Sequence, residues 1–94
     1  MIIFIDMELT SDTIMKLITS LFNKEWYSLI TDISVDYRKK DRNNADAITV
    51  YVTFAEGVFD SIDDDKSEIE FEIQSDIRDI MKYFSPSYVF VLFP

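Results

Sequence analysis

At 94 residues, with 48% hydrophobic and 15% aromatic content, the chain is long enough for one core and too short for two ordinary domains, so residues 1–94 are expected to form a single α+β domain. It contains neither cysteine nor histidine, which excludes disulfides, thiolate chemistry, imidazole general-base catalysis and nearly every zinc, copper or haem site. The formal charge is −9 and unevenly placed: residues 56–79 hold ten acidic side chains against Lys66 and Arg78, a net −8, whereas Arg38, Lys39, Lys40 and Arg42 with Asp41 form a cluster of net +3.

In chain order, residues 2–7 are apolar on both faces up to Asp6, which suits a central strand. The run is too short, and too early broken by Asp6, for a signal peptide or a membrane span. Thr10, Ser11 and Asp12 then offer N-cap chemistry, and Ile14, Ile18, Leu21, Phe22, Leu29 and Ile30 recur at helical spacing, so a helix is expected from about 11 to 29, with Asn23 as a point of interruption. Ile33, Val35 and Tyr37 alternate with Ser34, Asp36 and Arg38, as do Ile48, Val50, Val52 and Phe54 with Thr49, Tyr51 and Thr53; the two segments predict a hairpin with an exposed, mobile loop over 38–44.

Residues 57–84 hold two periodicities. As a helix, Ile69, Ile73, Ile77, Ile80 and Phe84 share a face, Ser67 and Glu70 stand at capping-box spacing, and Phe71 alone points the wrong way. As a strand, Glu68 to Ile73 alternate perfectly and the helix starts at Ser75. The helix is preferred, because glutamate favours helices over strands. Ser85-Pro86 ends it, and residues 88–93 form a last strand apolar on both faces. The order β-α-β-β-α-β predicts a ferredoxin-like fold, a split βαβ arrangement with a four-stranded antiparallel sheet; the alternative adds a strand at 67–74 and shortens the second helix.

Three surfaces are candidates for function. Asp60, Asp63, Asp64, Asp65, Glu68, Glu70, Glu72, Asp76 and Asp79 are expected to present carboxylates along the outside of a helix, where their spacing imitates part of the phosphate charge of duplex DNA, about one per 1.7 Å of axis. The plain alternative is a solvated face, but solubility calls for both signs of charge rather than one. A metal site in this segment lacks the loop glycine of an EF-hand, the only glycine being Gly57, and no metal or cofactor is expected. The basic cluster is a poor nucleic-acid site in so acidic a chain, so no direct nucleic-acid binding is expected. The third surface is the sheet face away from the helices, with Phe4, Tyr51, Phe90 and one alternate set of the last strand, a candidate homodimer face. No spacing identifies a nucleophile with its base, so the chain is expected not to be an enzyme.

In size, acidity and absence of catalytic residues the chain resembles the small phage-encoded inhibitors that disarm host nucleases, restriction systems or CRISPR complexes, some by mimicking DNA. Thirteen isoleucines against three alanines also suit an AT-rich genome. The resemblance implies an anti-restriction or anti-CRISPR inhibitor in the host cytoplasm, bound to the basic nucleic-acid surface of a larger protein. The alternative is a homodimeric regulatory or scaffold module that works through its sheet face.

Overall fold

The computed structural model describes residues 8–21, 25–60 and 65–94; the expected strand over residues 2–7, with Phe4, lies outside them, as do Asp63 and Asp64. The described elements are α1 (Ser11–Thr19), β1 (Ile30–Lys39), β2 (Ala45–Phe54), α2 (Lys66–Met81) and β3 (Tyr88–Leu92), joined in part by short 3-10 turns at Glu25–Leu29, Val58–Asp60 and Lys82–Phe84.

Local chemistry accounts for each helix boundary. Thr10 takes an extended conformation and caps α1: its hydroxyl accepts from the Thr13 amide at 3.1 Å, while the Thr13 hydroxyl accepts from the Thr10 amide at 2.9 Å, so two orphan donors are satisfied reciprocally. The expected helix over 11–29 is shorter in the structure. It closes at Ser20, whose amide and hydroxyl both turn back onto carbonyls of the last turn, and the apolar periodicity beyond it belongs in part to the 3-10 turn at Glu25–Leu29. Helix α2 spans the segment with two periodicities, which overturns the alternative strand at 67–74. Its cap is Asp65, not Ser67: the Asp65 carboxylate accepts from the Ser67 amide at 2.9 Å and also places negative charge at the positive helix end. The helical run stops where Ser85 takes a left-handed φ of 47° ahead of Pro86.

The described sheet has three strands in the order β1-β2-β3. Strands β1 and β2 form the expected antiparallel hairpin, pairing Val35 with Val50 and Tyr37 with Ile48, whereas β3 runs parallel to β2, pairing Ile48 with Val89 and Val50 with Val91. This corrects the ferredoxin-like expectation of a four-stranded antiparallel sheet. A split βαβ unit would hold another strand between the two parallel ones; here β2 and β3 are hydrogen-bonded neighbours, so β2-α2-β3 is an unsplit crossover. Parallel neighbours require a long connection, which the segment containing α2 supplies, and apolar residues on both faces of β3 suit that pairing.

Both helices pack on one side of the sheet, α1 against β1 and α2 against β3, and they touch each other. The core between the layers holds Leu9, Ile14, Leu17, Ile18, Ile48, Val50, Val52, Ile73, Ile77, Met81 and Phe84, all fully buried. Burial of each Ile, Leu, Met or Phe there contributes on the order of 1.5–3 kcal/mol. Ala47, Thr49, Tyr51 and Thr53 of β2 and Tyr88, Phe90 and Leu92 of β3 have the opposite parity and form the open face of the sheet.

Candidate functional site

Helix α2 buries one stripe and exposes another. Ile69, Ile73, Ile77 and Met81 recur every fourth residue and line the core. At about 100° per residue, Asp65, Glu68, Glu72 and Asp79 fall within one outward sector of roughly 60°, along about 21 Å of axis. All four are exposed. Phe71 lies on the flank of this sector, one turn from Glu68 and Ser75, and is 71% exposed, the most exposed large hydrophobic side chain among the described residues.

The remaining residues of the expected acidic surface divide. Asp60 is exposed on the 3-10 turn before α2, while Glu70 and Asp76 are half-buried at the margins of the helix's inner face and do not join the stripe. Asp63 and Asp64 lie outside the described residues. Of the stripe itself, Asp65 serves as the helix cap and Asp79 accepts from Lys82 Nζ at 3.0 Å, an exposed pair worth little to stability. Among the described residues Glu68 and Glu72 have no ion-pair partner. Among the described residues Lys82, already paired with Asp79, is the cation nearest the sector, and Arg78 lies farther round the helix, beyond Phe71.

Asp76 has a different role. It lies close enough to the buried Tyr27 phenol to add to the effect of burial there, and the two together push the Tyr27 hydroxyl well above its ordinary range. This carboxylate therefore acts beneath the helix, not on its outer surface.

The basic cluster is built into the hairpin. Arg38 pairs with Asp46 at 2.6 Å and Lys39 with Glu8 at 3.2 Å. The loop expected over 38–44 is exposed from Arg38 to Arg42, begins only after β1 ends at Lys39, and is closed by hydrogen bonds: Asp41 accepts from the Asn43 and Asn44 amides at 3.0 and 2.9 Å and from the Asn44 side chain at 2.9 Å, and the Lys40 amide donates to the Asn44 carbonyl at 2.9 Å. The Asn44 side chain first, then the turn amides, hold the Asp41 carboxyl below its ordinary range. The Leu9 amide also donates to the Arg42 carbonyl at 2.9 Å, tying the turn to the segment that enters α1.

On the open sheet face the structure selects Tyr88, Phe90 and Leu92 as the outward set of the last strand, at 59%, 48% and 47% exposure. Tyr51 sits beside them, half-buried and paired with Leu92, and Phe4 lies outside the described residues. Beside them, Asp36, Tyr37, Arg38, Ala47 and Thr49 line a shallow, open depression of about 390 Å³. Among the described residues no three carboxylates converge as metal ligands do, and no helix is long and apolar enough to cross a membrane.

Sequence reasoning named the acidic positions but not Phe71 as part of the surface. The signal was available, since Phe71 is the one large apolar residue of α2 that breaks the helical stripe. No protein-family model, curated protein or solved structure was found to match the chain.

Proposed function

We propose that the chain is a non-enzymatic interaction protein that docks the outer face of α2 into a basic, apolar-floored groove of a larger protein and so occupies a nucleic-acid-binding surface. The observation behind this reading is Phe71, 71% exposed one turn from Glu68 at the flank of the acidic stripe. Solubility accounts for carboxylates but not for a phenyl ring held in water at their side. A ring of this kind is the usual anchor of an interface, and the surrounding charge supplies what an anchor lacks, namely attraction from a distance. Glu68 and Glu72, with no partner among the described residues, are free to meet cations on another molecule without first breaking an internal pair. The result is the role of an inhibitor, of the anti-restriction or anti-CRISPR kind that the sequence resembles.

The test is a pull-down from nuclease-treated bacterial lysate with three baits: the natural chain, Phe71→Asp, and Glu68→Lys with Glu72→Lys. The expected partner elutes with salt, is lost to both variants, and is displaced from the natural chain by duplex or single-stranded DNA. Partners that withstand high salt, or that bind all three baits equally, would overturn the reading.

A further inference from the structure

The open face of the sheet lies on the side away from α2 and has a different chemistry. Its rows grade across the strands: Asp32, Ser34, Asp36 and Arg38 on β1; Ala47, Thr49, Tyr51 and Thr53 on β2; Tyr88, Phe90 and Leu92 on β3. No charged residue occurs anywhere from residue 85 to 94, so the β2 and β3 rows together form a charge-free surface on a chain of net −9. Tyr88 and Phe90 already stack on one another, with ring centroids 6.2 Å apart and planes 9° from parallel. A nucleic acid has no cation to meet on these two rows, and a strongly charged protein gains nothing from them.

We infer that this face is covered by the same face of a second copy, related by a two-fold axis that runs along the strands between β2 and β3. The placement follows from the rows. With the axis there, β3 of each copy lies over β2 of the other, so Tyr88, Phe90 and Leu92 meet Ala47, Thr49 and Tyr51 of the second copy. The charged β1 rows then fall outside the overlap and stay in water.

Electrostatics favours the same arrangement. Two chains of −9 repel, and the repulsion is least when their acidic surfaces are farthest apart. Apposed open faces put α2 of each copy on the outside, roughly 30 Å from its counterpart at about 10 Å per layer, several times the ~8 Å screening length of physiological salt. Contact through α2, by contrast, would set carboxylate against carboxylate. The strip of Tyr88, Phe90 and Leu92 contributes on the order of 300 Å² of surface and the half-buried β2 row adds less, so the face falls below the ~800 Å² per partner of a standard interface and the dimer is expected to be a reversible one.

Sedimentation equilibrium across a concentration series tests this, and independently of any activity of α2. The natural chain is expected to reach about twice its 11.1 kDa mass, and raising the salt is expected to leave that dimer intact or tighten it. Phe90→Asp, an exposed substitution outside the core, is expected to sediment as a monomer with an unchanged circular dichroism spectrum. Thr49→Arg, on the opposing row, is expected to weaken the dimer at least ten-fold, and Glu72→Lys to leave it as it is. A natural chain that stays monomeric at hundreds of micromolar, a dimer that dissociates in high salt, or a Phe90→Asp variant that dimerises as the natural chain does would each overturn the inference.

Discussion

The two charged regions of this molecule, the basic hairpin and the acidic helix, differ less in charge density than in what their charges are doing. In the hairpin, Arg38 is held by Asp46, Lys39 by Glu8, and Asp41 by a set of turn donors, so much of the cluster is spent within the fold. On α2, Asp65 caps the helix and Asp79 meets Lys82, but Glu68 and Glu72 project without an ion-pair partner among the described residues. Charge that organises its own backbone is structural; charge left outward beside an exposed phenyl ring is available to another molecule. Counting residues by sign cannot separate the two cases, whereas pairing does.

Substitutions make that contrast measurable. The largest expected effect comes from the side of α2 that faces inward: Ile73→Ala, at a fully buried position between helix and sheet, should cost about 2–5 kcal/mol in denaturant unfolding, set by the cavity it leaves. If the loss is far smaller, α2 is not held by its inner stripe as described. Tyr27 and Asp76 supply the next effect. The phenol of Tyr27 is raised above its ordinary 10.0 in the folded state, so the fold binds that proton more tightly than the unfolded chain does. The resulting stability is complete below pH 10 and is lost as the pH climbs through the folded-state value. Alkaline melting curves should therefore fall from about pH 10 upward in the natural chain and flatten there in Tyr27→Phe.

The hairpin turn is tested by Asp41→Ala, which should lower the melting temperature at neutral pH. Because the Asp41 carboxyl is held below its ordinary 3.8, its contribution is present above that pH and disappears as the pH falls through the folded value, so the two melting curves should converge in acid. A difference that persists at the lowest pH would mean that the turn owes nothing to the ionised carboxylate. The smallest expected change is in Glu68→Lys with Glu72→Lys, which should move unfolding by no more than about 0.5 kcal/mol, as exposed substitutions generally do. A large loss there would return the acidic stripe to a structural role and collapse the contrast with the hairpin.

Much of the local structure was legible in the sequence. Alternation of Ile33, Val35 and Tyr37 with polar residues marked β1, and the spacing of Ile69, Ile73 and Ile77 marked α2 against a competing strand pattern, because a buried stripe has to match the period of its own backbone. Three features were not legible. Alternation says which residues share a face but not which strand lies alongside, so the parallel pairing of β3 with β2 had to come from the structure. The end of α1 was hidden because the apolar spacing continues past Thr19, and only the hydrogen bonds of Ser20 show that the helix closes there. On the candidate surface, the acidic positions were visible but their division was not. Asp76 turns inward toward Tyr27, and Arg38 and Lys39 find partners far from them along the chain or across a strand pair.

The parallel placement of β3 also sets an order of assembly. The β1–β2 hairpin closes over a short turn, with partners such as Lys39 and Ala45 only a few residues apart, whereas β3 can reach β2 only after the chain has run through the whole of α2. Loop closure is costlier for the longer circuit, and β3 gains its apolar contacts only once α2 is seated on the sheet. In pulsed hydrogen exchange during refolding, the amides of the hairpin should become protected first, and those of Tyr88 to Leu92 should follow together with α2 as a single cooperative step. The strand that presents the aromatic strip is thus the last of the described sheet to join it, so that strip comes into register in the same step that seats the acidic helix.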